Sequence, residues 1–235
     1  MLLYIIRHGD PDYTTDTLTE RGKQQAEAVA LRMKHAGITQ VFSSPMGRAK
    51  ETAEPTCRLL SLPCGIEEWS HEIGEERITL YPDGKRRSVT DLENTHYRKD
   101  GFIDLPYDRA GEAPGFSDSG MVEATAKIAA GGRDFLARLG YAEENGVYRI
   151  TNPNDERVAL FCHSAMGRAW LSTLLHIPLH LMWSGFHYTH TGVTVIDFEN
   201  YKSGFTAPRC LVYSDMSHLL AAGLDMKHNN GKREI

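Results

Sequence analysis

The sequence predicts an α/β fold, a three-layer αβα sandwich whose sheet is mainly parallel and carries helices on both faces. Apolar runs at residues 2–6 and 158–162 lack polar alternation, which is typical of parallel strands covered on both sides. Segments with helical spacing follow these runs, and this strand–helix order favours a parallel sheet. From about residue 64 to residue 119 both the helical and the strand periodicity of apolar residues are weak. We therefore expect one domain of 235 residues with an irregular insertion, or cap, over the carboxyl ends of the strands.

The elements of the first quarter can be placed in order. Thr19 is a typical helix N-cap, and the apolar spacing that follows predicts a helix closed by Gly37. Residues 40–43 predict a short second strand. Ser44 and Pro45 then predict an N-cap and a first helical residue for the next helix.

The remaining elements follow the insertion. Residues 121–139 predict a helix that tolerates two internal glycines, and residues 146–150 predict a short strand or half of a hairpin. The buried run at 158–162 precedes another helix with apolar residues at helical spacing. Residues 193–198 and 210–213 predict two further strands.

Composition excludes several classes of protein. The net charge of −5 argues against a nucleic-acid partner, because binding a phosphate backbone requires a basic face. No apolar run is long enough to span a membrane. The four cysteines lack zinc or C-x-x-C spacing, and no signal peptide is evident at the N-terminus. We expect a cytoplasmic protein with reduced thiols and no membrane partner.

Charged side chains follow three of the predicted strands. Arg7 and His8 come directly after the first strand, Arg48 lies in the first turn after the second, and His163 and Ser164 follow the run at 158–162. Ligands of open α/β sheets bind beyond the carboxyl ends of the strands, and helix N-termini there attract anions. The sequence therefore predicts a phosphate site.

Four ordered segments resemble the signature of a known family. Residues 7–9 resemble the R-H-G motif of the histidine phosphatase superfamily (phosphoglycerate mutase-like, branch 1). Residues 18–26 resemble its L-T-x-x-G-x-x-Q-A segment, and residues 43–53 its S-S-P-x-x-R-A-x-x-T-A segment. Residues 158–163 resemble the strand that carries the second family histidine.

The resemblance implies a metal-independent phosphohydrolase without a cofactor. His8 would attack phosphorus and form a phosphohistidine, which water then hydrolyses. Arg7, Arg48 and His163 would hold the non-bridging oxygens and neutralise charge in the transition state. The second nitrogen of His8 is expected to donate to a backbone carbonyl, which fixes the tautomer.

The proton donor implied by the resemblance lies in residues 66–74. Glu72 is the first choice, because Trp69-x-x-Glu72 resembles a W-L-x-E-F pattern, and Glu68 is the second. Asp10 stands where relatives often carry Glu or Gln, and Ser164 replaces a common glycine. Both are expected to contact the substrate.

The substrate is expected to be a small phosphorylated molecule. The sequence leaves undecided whether the protein forms a homodimer. Two alternatives to a phosphatase remain: phosphoryl transfer of the phosphoglycerate mutase type and a non-catalytic domain that binds a phosphorylated ligand.

The basic residues 85–87 indicate either a solvated turn or a second anion site. Four histidines are interpreted as structural or pocket-lining residues rather than as a metal site: His176, His180, His187 and His190. Tyr188 or His187 is expected to border the substrate mouth.

Overall fold

The structure is a computed structural model that describes residues 1–81 and 83–226, and the backbone alone of residues 227–228 and 233–234. Its centre is a six-stranded sheet. The strands are β1 (Leu2–Arg7), β2 (Gln40–Ser43), β3 (Cys64–Ile66), β4 (Arg157–Cys162), β5 (Val193–Asp197) and β6 (Arg209–Asp215). Their spatial order is β6-β5-β1-β4-β2-β3.

The sheet is mostly parallel, as predicted. Strand β1 pairs in parallel with β4, β4 with β2, and β2 with β3. Strand β5 runs antiparallel to both β1 and β6, so it alone reverses direction within this sheet. The mixed α/β fold class is therefore confirmed.

Helices cover both faces of the sheet. Alternate residues of β1 divide between two apolar clusters, with Leu3 and Ile5 in one and Tyr4 and Ile6 in the other. The helices are α1 (Glu20–Ala36), α2 (Gly47–Leu60), α3 (Met121–Arg138), α4 (Ser164–Leu174), α5 (Leu179–Gly185) and α6 (Ser217–Ala221). The first cluster includes residues of α3, α4 and α5, and the second includes residues of α1 and α2.

Helix α1 begins and ends where the sequence predicts. The Thr19 side chain accepts a hydrogen bond from the Gly22 N–H, and Gly37 adopts the left-handed conformation with φ of 69°. Its N–H donates to carbonyls of the last helical turn, which would otherwise lack partners.

The predicted start of helix α2 is wrong by two residues. The helix begins at Gly47, with Met46 as its N-cap, rather than at Pro45 with Ser44 as the cap. The N–H of Gly47 donates to the Asp16 carboxylate at 2.7 Å. A side chain about thirty residues away therefore caps the helix, and the Ser44 hydroxyl is left for another contact.

The two glycines inside α3 allow close packing of aromatic rings. A Cβ on Gly131 would lie 2.2 Å from Cβ of Trp69, and a Cβ on Gly132 would lie 2.2 Å from Nε1 of Trp170. Neither distance leaves room for a methyl group. The cost of glycine in a helix is therefore offset here by burial of tryptophan against the helix backbone.

The irregular segment begins at residue 67, because residues 64–66 form strand β3. Up to residue 120 it consists mostly of short 3₁₀ turns and one small hairpin. Buried side chains such as Ile73, Val89 and Tyr97 join the same apolar cluster as α4 and α5. The segment is therefore packed on the domain. Its small strands are Ile78–Leu80 and Arg86–Ser88.

Within the described residues, none of the helices combines the length and the apolar character that crossing a membrane requires.

Other short strands lie outside the central sheet. The predicted strand at 146–150 is half of a hairpin that a third strand extends. The strands are Pro11–Asp12, Thr17–Leu18, Tyr141–Glu144, Val147–Ile150, Phe205–Thr206, Lys227–His228 and Arg233–Glu234.

Candidate phosphate site

Two histidines meet because their strands are neighbours in register. Arg7 ends β1 opposite Cys162, which ends β4, so His8 and His163 leave the sheet side by side. The His8 N–H donates to the Cys162 carbonyl at 2.9 Å, and the centroids of the two imidazole rings are 5.2 Å apart. Both rings are almost fully buried. The parallel pairing of β1 and β4 therefore creates the centre of the site.

The backbone after β1 fixes the ring of His8. Nδ1 of His8 lies 2.7 Å from the Gly9 carbonyl oxygen and donates to it, so Nε2 carries the lone pair. The Gly9 N–H in turn donates to the Thr52 hydroxyl at 3.0 Å. A Cβ on Gly9 would lie only 2.8 Å from the Gly22 carbonyl oxygen, so the turn needs glycine here.

His8 is neutral at physiological pH. Burial, and next the positive charge of Arg7, lower the pKa of His8 well below its ordinary value. A neutral imidazole with an unprotonated nitrogen is a nucleophile, whereas an imidazolium is not. The geometry and the charge state of His8 therefore agree.

Arg7 is buried next to His8, and its guanidinium contacts two neighbouring groups. Its guanidinium donates to the Tyr188 carbonyl at 2.5 Å and to Nε2 of His190 at 2.8 Å. Nε of Arg7 is buried without a partner among the described residues. Tyr188 is itself fixed, since its hydroxyl donates to the Ile5 carbonyl at 2.6 Å.

Arg48 stands in the first turn of α2 and is as buried as Arg7. Its guanidinium makes an ion pair with Asp16 and lies 5.4 Å from the centre of the Tyr13 ring. The Nε of Arg48 is a second buried donor without a partner among the described residues. Asp16 holds a strained left-handed backbone with φ of 54°, so the hairpin loop presents its carboxylate to Arg48.

His163 directly precedes helix α4. Its Nε2 lies 2.8 Å from the Ser44 hydroxyl, and its Nδ1 is buried without a partner among the described residues. Burial lowers the pKa of His163 to about 3, and the charge of Glu72 opposes this shift in part. Ser44 thus helps to position His163, which is why it does not cap α2.

Glu72 lies at the N-terminus of α4. One carboxylate oxygen accepts the Met166 N–H at 2.9 Å, and the other is 3.3 Å from the Ala165 nitrogen. Burial favours the neutral acid, but the neighbouring His163 and these N–H donors lower the pKa of Glu72 below its ordinary value. Glu68, the second choice from the sequence, is exposed in a 3₁₀ turn. The structure therefore brings Glu72, and not Glu68, to the histidines.

The three expected substrate-binding residues occupy different positions. Asp10 follows His8 and accepts from the Thr19 hydroxyl at 2.8 Å. Ser164 is the first residue of α4, next to His163. His187 is half-buried and lines a separate cavity beside Trp183.

His190 belongs to the cluster, and the sequence had indicated only a structural or pocket-lining role for it. Its ring centroid is 5.5 Å from that of His8. Since arginine only donates, Nε2 of His190 accepts from Arg7, and Nδ1 carries the hydrogen that faces the Asp10 carboxylate at 3.6 Å. The only sequence signal was that the loop before the predicted strand at 193–198 carries polar residues toward a sheet end.

The other basic and histidine residues lie elsewhere. Arg87 pairs with Asp83 and stacks on the Tyr81 ring at 4.8 Å, within an exposed hairpin, which supports the interpretation of residues 85–87 as a solvated turn. His176 stacks on Tyr107. No group of three metal-binding side chains is found among the described residues.

The site as a whole is suited to an anion. Two buried guanidinium groups lie close enough to two neutral imidazoles to lower their pKa values, and three nitrogens of the four groups lack partners within the described chain. Buried donors of this kind normally have partners, so an oxyanion that accepts from them would satisfy the site.

Comparison with known proteins agrees with this chemistry. Residues 3–87 match the model of the histidine phosphatase superfamily, branch 1. A stretch of 74 residues is 35% identical to the probable phosphoglycerate mutase GpmB of Escherichia coli, and it covers 28% of this chain and 33% of that protein. The chain therefore matches only about a third of the length of these curated relatives.

Solved structures share the fold over nearly the whole chain. A phosphoserine phosphatase mutant from Entamoeba histolytica in complex with phosphoserine superposes with a TM-score of 0.62 at 21% identity, over 93% of this chain and 98% of that one. A mycobacterial glucosyl-3-phosphoglycerate phosphatase gives 0.59 at 22% identity, over 92% and 99%. The N-terminal third of the chain is therefore similar to the histidine phosphatase superfamily, branch 1, and the solved structures share the fold.

Proposed function

We propose that the protein is a metal-independent phosphohydrolase that cleaves small phosphomonoesters through a phosphohistidine on His8. The observation that carries this proposal is the state of His8. Its Nδ1 donates to the Gly9 carbonyl, its pKa is far below neutrality, and Arg7 and His163 flank it. A neutral nucleophile beside buried cations is the arrangement that in-line attack on phosphorus requires.

The reaction balances in two displacements. Nε2 of His8 forms a bond to phosphorus as the ester P–O bond breaks, and the leaving oxygen takes a proton from Glu72. Water then attacks the phosphohistidine, Glu72 accepts a proton from it, and inorganic phosphate leaves while His8 is restored. Arg7, Arg48 and His163 hold the non-bridging oxygens throughout.

Glu72 must be protonated before the first step, yet its pKa is low in the free protein. A phosphate dianion beside it raises that pKa, because like charges disfavour ionisation. Binding of substrate therefore favours protonation of Glu72, and the leaving group then receives this proton. The same negative charge favours protonation of His163, which turns a neutral imidazole into a further cation in the loaded site.

Asp10, Ser164 and His187 are proposed to contact the substrate, and the class of substrate is a small phosphorylated metabolite. The solved structures of similar fold support this class, since one holds phosphoserine. The irregular segment from residue 67 is proposed as a cap of a single domain. The cytoplasmic location and the oligomeric state stay predictions.

A direct test compares the wild type with His8→Ala on p-nitrophenyl phosphate. Hydrolysis should fall to background in the variant and should persist in EDTA for the wild type. An alkaline quench with labelled substrate should trap an acid-labile, base-stable phosphoenzyme in the wild type alone. The exposed helix residue His35 supplies a matched control, His35→Ala, which should keep full activity.

Two outcomes would contradict the proposal. A phosphoenzyme that persists in His8→Ala would move the nucleophile elsewhere. Transfer of the phosphoryl group between the positions of 3-phosphoglycerate, faster than release of phosphate, would favour the mutase activity suggested by the partial match to GpmB.

A further inference from the structure

A second cavity lies beside the phosphate site, between the irregular segment and helix α5. Its volume is about 440 Å³, within the range of small-molecule sites. The cavity lies near the phosphate site, because Arg168 on its wall interacts electrostatically with Arg7 and Glu72. Other residues on its wall are Thr90, Leu92, Asn94, Tyr97, Ser184 and Phe186.

Arg168 also lines this cavity and is 92% buried, since its exposed fraction is 8%. It belongs to α4, one turn beyond the site, and its Nε donates to the Ser164 carbonyl at 3.3 Å. Its guanidinium carbon lies 3.9 Å from the centre of the Trp183 ring, which holds the group in place.

Arg168 makes no ion pair with any carboxylate of the described residues. Every other arginine that is as buried as this one, Arg7 and Arg48, belongs to the phosphate site. Burial lowers the pKa of Arg168 only to about 10, so it keeps its charge at neutral pH. Buried cations are normally paired, and an unpaired one that lines a cavity indicates an anion supplied from outside.

The charge around the cavity selects the kind of anion. Arg168 is its one lining arginine or lysine among the described residues, and the exposed Glu93 lies at the edge. Nε1 of Trp183 is a buried donor without a partner in the described chain. One cation, one neutral donor and a nearby carboxylate match a monoanion better than a dianion.

We propose that Arg168 binds a carboxylate of the substrate while His8 attacks its phosphate, so that the preferred substrates are phosphomonoesters of small carboxylic acids. This inference rests on the proposed function. Helix α4 joins the two sites, because it begins directly after His163 and presents Arg168 one turn later. The distance between phosphate and carboxylate in the substrate is thereby fixed by a rigid element.

The test uses two pairs of substrates that differ by one carboxylate. O-phosphoserine is compared with O-phosphoethanolamine, and 3-phosphoglycerate with glycerol 3-phosphate. The wild type should prefer the carboxylate member of each pair in kcat/KM by about tenfold to a hundredfold, as expected for a charge-assisted hydrogen bond. Arg168→Met should abolish most of that preference through KM.

Matched variants separate this role from a structural one. Arg168→Lys keeps the charge and should retain part of the preference. Arg109→Met removes an exposed arginine of the irregular segment that makes an ion pair with Glu112. It should leave the preference for the carboxylate member unchanged in both substrate pairs. An equal loss of kcat/KM on both members of each pair in Arg168→Met would overturn the proposal, as would a wild type without preference.

A binding measurement keeps the two proposals distinguishable. Calorimetric titration of 3-phosphoglycerate into His8→Ala needs no turnover, and adding Arg168→Met should weaken binding by about tenfold or more. Unchanged affinity would overturn the carboxylate site while hydrolysis of p-nitrophenyl phosphate by the wild type still supported the phosphatase. Absent hydrolysis with weakened binding would overturn the phosphatase alone.

Discussion

Replacing Glu72 with glutamine tests the proton transfer most sharply. In the wild type Oε1 of Glu72 accepts N–H donors from Met166 at 2.9 Å and from Ile73 at 3.0 Å. The glutamine oxygen can keep both bonds, and its amide group loses only the longer contact with Ala165. We therefore expect the free energy of unfolding to fall by no more than about 1 kcal/mol.

The effect on activity should depend on the leaving group. An alkyl phosphate needs the proton, so kcat/KM for glycerol 3-phosphate should fall by about 10²- to 10⁴-fold in Glu72→Gln. The weakly basic p-nitrophenolate leaves without one, so its kcat/KM should fall less than about tenfold. Hydrolysis of the phosphohistidine still needs a base, so it becomes the slow step with p-nitrophenyl phosphate.

Stopped-flow absorbance measures this difference. Glu72→Gln with p-nitrophenyl phosphate should release a burst of p-nitrophenolate equal to the enzyme concentration, followed by a slow steady state. The exposed Glu68→Gln is the matched control and should behave as the wild type. Equal losses on both substrates without a burst, or a burst in Glu68→Gln instead, would refute the assignment to Glu72.

Three further predictions concern packing and charge. Gly132→Ala should lower the free energy of unfolding by about 1–3 kcal/mol in urea titration, because its Cβ would overlap the Trp170 ring; an unchanged midpoint would contradict the packing. The folded-state pKa of His163 is about 3 against 6.5 when unfolded, so the unfolded chain binds the proton more readily and stability falls as pH drops below about 6.5. His163→Asn should flatten that part of the pH profile, and a profile identical to the wild type would count against the shift. Vanadate should raise the pKa of His163 in NMR titration, because it adds negative charge, and a constant pKa would separate His163 from the anion.

The sequence predicted the parts of the site that follow directly from strand ends. Arg7, His8 and His163 need only two buried strands in parallel, and apolar runs reveal such strands well. Glu72 lies in irregular chain, where no periodicity positions it, and only the resemblance to a family pattern selected it over Glu68. Its position depends on donors from α4, a contact across more than ninety residues.

The residues whose contacts the sequence did not predict depend on distant partners. Ser44 looks like a helix cap, but Asp16 caps α2 from another loop, and Ser44 contacts His163 instead. His190 lies in a loop whose path is set by the antiparallel strand β5, which the sequence could not orient. Arg168 resembles any polar helix residue until its burial is known.

Tyr188 fixes the loop that carries His190. Its hydroxyl bonds the Ile5 carbonyl, its own carbonyl accepts from Arg7, and its ring packs where a side chain on Gly167 would collide. The loop that carries His190 is thus fixed to the centre of the sheet by two hydrogen bonds and one packed ring. A displacement of this loop would break all three contacts at once, so Arg7 and His190 keep fixed positions relative to the central strand β1.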